Sequence, residues 1–302
     1  MVEDIGTVIR KGFGTWTRNL NICVPFILEV LAAIVFLIFT LIFFMMVVIV
    51  SLGSRQDIDP ANISPEEMLG IFTSIFSEGI WLLIIGGIIL FLLYMVVQSF
   101  LTAGAIGMAK TASEKGNTNL SDMFDAGKNN FFNLFLTKVL VFLLIIAGLV
   151  FLIPGIISIG DVSIFLANPE IAPAGASLLL IGLLVWGLYL LALSIIFLLV
   201  DYALVIDGLD PISAIEKGIS VLLSNKFPAF MIWILIMGIS LSLALISEVT
   251  SNVEIISQIW SYLDFILSII VIQPLIVVWL TRFYLNRTEK KLYSFDDYIL
   301  DY

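Results

Sequence analysis

Glu29, Lys138, Asp201, Asp264 and Arg282 stand inside long apolar runs of this 302-residue chain. On insertion scales an ionised side chain at mid-membrane costs ~2.5 to 3.5 kcal/mol. Each must therefore be paired, reach water, or sit where charge is used, as in a proton relay or an ion path. All but Asp264 fall toward the ends of their runs that carry Lys and Arg, where snorkelling or mutual pairing satisfies them. Asp264 lies about one turn inside the opposite end of the last run, within reach of water. Similar depth, ~10 Å by the helical rise, makes Glu29 and Lys138 the expected ion pair, with Asp201 as the alternative partner of Lys138. Gln98 and the Gln273-Pro274 step point to a cavity. Proline leaves a carbonyl without its helical donor, and interrupted helices at membrane depth face protein or a water-filled site, although packing kinks are the commoner use.

Composition excludes several chemistries. There is no His, the commonest general base and metal ligand, and the single Cys23 excludes CxxC sites and intrachain disulfides. No Ser/Lys or paired-Asp constellation shares one depth, and no Gly-rich loop cradles phosphate. No catalytic residue, metal or cofactor is expected. A net charge of −10 argues against nucleic acid as a partner, because phosphate contacts need a basic surface. With 61% hydrophobic and 13% charged residues and a mean hydropathy of +1.14, the chain cannot hide its apolar surface in a water-soluble core.

The elements that must position these residues are membrane spans. About 20 apolar residues cross a bilayer, and six stretches qualify, at residues 22–52, 80–108, 131–159, 176–206, 227–246 and 259–283. Several are long enough to tilt or kink. The first run is too long for the apolar region of a cleavable signal peptide. Arg10, Lys11, Arg18, Lys110, Lys115, Lys128, Lys217, Lys226, Arg287, Lys290 and Lys291 flank one side and Arg55 alone the other. By the positive-inside rule both termini are cytoplasmic, in the cell membrane. The outer face is acidic, with Asp57, Asp59, Glu66, Glu67, Glu78, Asp161, Glu170, Glu248 and Glu254. The longest outer loop, 53–79, has the pattern of an amphipathic lid and carries a glycosylation sequon at Asn62.

An amphipathic segment precedes each odd-numbered span, at residues 5–16, 119–130 and 211–224, with Asn119 and Asp210 placed as N-caps and Pro211 at the first helical position. Each ends on a polar step: Arg18-Asn19, Lys128-Asn129-Asn130 and Ser224-Asn225-Lys226. The pattern predicts three repeated units, about 1–108, 118–206 and 210–287, each an interfacial helix, a turn and a helical hairpin. The fold class is thus an all-α polytopic bundle forming a single membrane domain over 1–287, followed by a short cytoplasmic tail, 288–302. The interfacial helices either buttress the bundle or sense lipid. Small residues at Ala103, Gly104 and Gly107, at Gly182 and Gly187, and at Gly238, Ser240 and Ser242 mark places where helices approach closely.

The segment from Val200 to Asn225, with its helix end, turn, Ala214-Ile-Glu-Lys-Gly218 helix and Asn step, resembles a family of prokaryotic six-helix membrane proteins related to the membrane domain of glycerophosphoryl diester phosphodiesterase. Gly104-Ala-Ile-Gly-Met-Ala-Lys110 with Asn119-Leu-Ser-Asp-Met-Phe124, Arg18-Asn19 and Thr281-Arg-Phe-Tyr284 fit the same resemblance. It implies a fold and an association with membrane lipid. Phosphodiesterase activity is not implied, since no soluble barrel follows the last span. The expected function is a non-enzymatic membrane protein that organises or handles lipid or another amphiphile, with membrane lipids as its partners. The alternative is a secondary transporter or channel with its site around Gln98 and Gln273-Pro274, and third stands an intramembrane enzyme. A continuous polar path inside the bundle favours transport, and a lateral apolar cleft favours lipid.

Overall fold

In the computed structural model, residues 3–53, 79–160 and 172–293 are described. The expected lid in loop 53–79, its sequon at Asn62 and most of the acidic residues of the outer face lie outside them. Among the described residues every regular element is a helix: α1 (Ile5–Arg18), α2 (Val24–Gly53), α3 (Ile80–Lys115), α4 (Leu120–Ala147), α5 (Ile153–Ile159), α6 (Pro173–Ile196), α7 (Val200–Asp207), α8 (Pro211–Ser224), α9 (Lys226–Thr250), α10 (Glu254–Leu267) and α11 (Gln273–Arg287). Six candidate spans result, Leu20–Val50, Ile80–Lys115, Leu120–Ile159, Pro173–Asp207, Lys226–Thr250 and Glu254–Arg287. Three of these are jointed: a 3-10 turn joins α4 to α5, a short turn joins α6 to α7, and a π-turn joins α10 to α11. The chain is a multi-pass membrane protein.

Local chemistry sets the helix ends. Asp4 accepts a bond from the Thr7 N–H at the start of α1, and Asp210 from Ile212 and Ser213 at the start of α8. Asn119 and Asp122 form a reciprocal capping box at the start of α4. After α1 and α8 the chain turns at Asn19 and Asn225, which share nearly one conformation, φ −126°, ψ 58° and φ −129°, ψ 41°. Prolines follow, Pro25 and Pro228, each in the first turn of the next span, where the missing N–H costs nothing. Continuing α8 straight into α9 would leave the Ser224 carbonyl without its donor, since Pro228 stands four residues on.

The middle segment departs from the repeat expectation. Residues 119–130 are the opening of α4, which runs unbroken through Lys128-Asn129-Asn130 to Ala147. No proline follows that polar step, and the Asn130 amide donates to Ala126 O within its own helix at 2.9 Å, so nothing there stops the helix. The unit of interfacial helix, turn and hairpin is therefore absent from the middle third. What the three segments share is their docking. Four residues after each N-cap stands a buried side chain, Val8, Met123 or Ala214, and eight residues after it a buried glycine, Gly12, Gly127 or Gly218. A Cβ at these glycines would meet Trp279 at 2.5 Å, Phe100 at 2.8 Å and Val200 Cα at 2.8 Å, so the segments lie against the sixth, second and fourth spans respectively.

The core sits at one end of the molecule, the end where Glu3 meets Arg282, Asn286 and Arg287. It gathers Val8, Ile106, Leu134, Leu199, Leu204, Phe283, Tyr284 and Leu285, with a second group around Ile22, Met108 and Val278. Toward the far end the spans separate into pairs: α2 with α3, α4–α5 with α6, and α9 with α10. Their apolar side chains turn outward there, Trp81 being 69% exposed, as expected where hydrocarbon is the solvent.

Candidate functional site

One polar cluster lies where the first three spans meet. Glu29 on α2 accepts a hydrogen bond from Gln98 Nε2 of α3 at 2.9 Å, and Lys138 Nζ on α4 donates to Thr102 Oγ1 of α3 at 2.9 Å. Thr102 in turn donates to Gln98 O at 2.8 Å, closing the chain along one turn of α3. The expected Glu29–Lys138 ion pair is therefore not made. Gln98 and Thr102, spaced i and i+4 on the intervening helix, take one partner each. Asp201 stands at the start of α7, and among the described residues none donates a hydrogen bond to its carboxylate. The cluster carries two acids and one base at half-buried positions.

Arg282 has a different role. Its side chain is 2% exposed, and its Nε and Nη2 bind the Glu3 carboxylate at 2.9 and 2.7 Å. Lys11 joins Glu3 at 2.8 Å, and the Glu3 N–H donates to Asn286 Oδ1 at 3.0 Å. Burial pushes the Glu3 carboxyl up, but the hydrogen bonds and charges of Arg282 and Lys11 outweigh it and hold the group below its ordinary value. This clamp fastens the N-terminal segment to the last span. Beside it, Tyr284 Oη donates to Asp207 Oδ2 at 2.6 Å, Lys290 pairs with Asp207, and Lys110 Nζ caps the Ile206 carbonyl at 2.9 Å. Sequence reasoning missed Glu3 altogether, because it stands in a polar N-terminal stretch and only the docking of α1 on α11 makes it internal.

The Gln273-Pro274 step divides into two parts. Pro274 is buried, and the carbonyl four residues before it, Ile270 O, accepts from Trp16 Nε1 at 3.2 Å and Cys23 Sγ at 3.0 Å. That part of the break is a structural anchor, and it is where Cys23 is spent. Gln273, by contrast, lines a cleft of about 370 Å³ between α9 and the α10–α11 span, together with Ser240, Ser247, Asp264 and Ser268. Asp264 Oδ1 is buried there with no hydrogen-bond partner among the described residues, as is the indole N–H of Trp260 one turn away. Gln98 and Gln273, expected to share one site, thus lie in two separate places.

A third feature is apolar. A lateral groove of about 430 Å³ runs between α2 and α3, lined by Ala33, Phe36, Leu37, Thr40, Phe43, Phe44, Leu83, Gly87, Leu90, Phe91 and Tyr94. Phe36 and Tyr94 meet edge to face at its foot, ring centroids 5.4 Å apart. One helical turn beyond the lining residues Ala33 and Tyr94, toward the core, stand Glu29 and Gln98.

The chain belongs to the DUF7847 family, a domain of unknown function whose family model matches residues 4–285. It is similar to an uncharacterised protein of Archaeoglobus fulgidus, 27% identical over 241 residues that cover 78% of this chain and 79% of the relative. No solved structure matches. These findings lend no support to the resemblance to the phosphodiesterase membrane domain; a family without an assigned function is what they support.

Proposed function

We propose that this member of the DUF7847 family is a non-enzymatic protein of the cell membrane, both termini in the cytoplasm, that holds lipid or another amphiphile between its spans. The carrying observation is the groove between α2 and α3. It opens sideways at membrane depth, its wall is almost wholly apolar and aromatic, and its foot stands one turn from the Glu29–Gln98 hydrogen bond. A hydrocarbon tail fits the wall, and a polar group at its end would meet Glu29, Gln98 and Tyr94. In this reading α1, α8 and the start of α4 lie at the inner membrane surface, basic residues toward lipid phosphate. Their matching caps and buried glycines support an internal threefold repetition of the docking, without a repeated turn. Transport is less well supported, because its two expected site residues do not share a cavity.

Photo-crosslinking with a diazirine-bearing phospholipid in nanodiscs tests the reading. Gly87 lines the groove, and a Cβ at that position would have no neighbour within 4 Å, so Gly87→Leu starts a bulky side chain at the groove wall without a clash at its first carbon. The wild type is expected to crosslink on α2 and α3 around Phe36 and Tyr94, and Gly87→Leu to lose most of that label. Equal labelling of the two proteins would overturn the reading.

A further inference from the structure

We infer that the cleft between α9 and the α10–α11 span is a binding site for a small monovalent cation. This goes beyond lipid handling and does not depend on it. The donor set decides the class. Ser240 and Ser247 on α9, Asp264 and Ser268 on the facing span, and the Gln273 amide bring oxygen-bearing side chains, one of them a carboxylate, into a space of about 370 Å³ whose remaining lining, Leu243, Ala244, Ile272 and Ile276, is apolar. Oxygen donors suit hard cations, and one carboxylate neutralises one positive charge. A divalent ion would leave net charge in the membrane, where charge is costly. Among the described residues no Lys or Arg lines the cleft to pair with Asp264.

Two further observations point the same way. Asp264 Oδ1 is buried and unpartnered among the described residues, an arrangement that costs free energy unless something satisfies it. The helix also widens into a π-turn at Ser268–Ile272, between Asp264 and Gln273. Such turns are rare and frequently stand at functional sites. This one brings residues on either side of it, Asp264 and Gln273, into one wall.

The test uses the full chain in nanodiscs of neutral phospholipid, following thermal unfolding by tryptophan fluorescence. NaCl, KCl or LiCl is titrated against choline chloride at constant ionic strength and pH. A saturable rise in the midpoint with at least one alkali ion is expected for the wild type. Asp264→Asn should fold and show no such rise. Ser268→Ala should need about tenfold more ion or higher, the scale on which metal sites weaken when even a supporting ligand is lost. If Asp264→Asn does not fold, Ser268→Ala and Gln273→Ala carry the test, and an unchanged titration in both overturns the proposal. It is equally overturned by a wild type indifferent to all three ions, by a response to pH alone, or by an Asp264→Asn protein that keeps the wild-type response.

Discussion

In the pair formed by α4–α5 and α6, glycines stand seven residues apart on each side: Gly148 and Gly155 on one span, Gly175 and Gly182 on the other. Each lies so close to the opposite helix that a Cβ would come within 3 Å of it. In the pair formed by α9 and α10–α11, the seven-residue spacing is occupied by Ser240 and Ser247, and a Cβ at Gly238 would have no neighbour within 4 Å. Two antiparallel pairs of similar composition thus close in one case and stay apart in the other. Without a hydrophobic drive between helices in lipid, close approach depends on van der Waals contact, which glycine permits. Serine is nearly as small, but the Ser240 hydroxyl donates to Ile236 O of its own helix at 3.1 Å, and among the described residues neither Ser240 nor Ser247 makes a hydrogen bond across the gap.

The largest expected effect is at the base of the open pair, where Arg282 holds it to the N-terminal segment. Arg282→Ala removes one partner of a buried, bidentate pair and is expected to cost about 3–5 kcal/mol, read as a fall in the unfolding midpoint in nanodiscs. The same clamp gives a pH signature. Because the Glu3 carboxyl is held below its ordinary value of 4.5, its contribution is complete above that value and is lost as pH falls through the depressed one. Acid destabilisation in that window should be weaker in Arg282→Ala than in the wild type, and equal slopes would show that the clamp does not report on Glu3.

Gly155→Ala attacks the closed pair. Its Cβ would lie 2.6 Å from the Leu179 backbone, so the helices must move apart, at about 1–3 kcal/mol for overpacking. A cysteine pair across this contact should crosslink in the wild-type background and fail in the variant. The smallest effect is expected at Gly238→Ala in the open pair. With space around it, alanine adds no clash and gains helix propensity, at most about 1 kcal/mol in its favour. A loss as large as that of Gly155→Ala would mean that the open pair closes in the membrane, and the contrast would fall.

Six helices of membrane-spanning length were legible from the order of residues alone. Apolar runs of that length need no knowledge of packing. The helix caps at Asn119 and Asp210 were legible too, since capping is a local bond between neighbours. What the intramembrane polar residues touch was settled by packing. Glu29 and Lys138 share a depth, but depth does not say which helix stands between them, and Gln98 and Thr102 on α3 take both. Gln273 and Pro274 are adjacent in sequence, yet the backbone turn sends one to a cleft and the other to the core. Gly182 and Gly187 read alike as contact positions, whereas a Cβ at Gly182 would meet Phe151 and one at Gly187 would have no neighbour within 4 Å. Rotation of each span about its own axis separates these cases, and in lipid, where most faces of a span are apolar, hydropathy carries almost no record of that rotation.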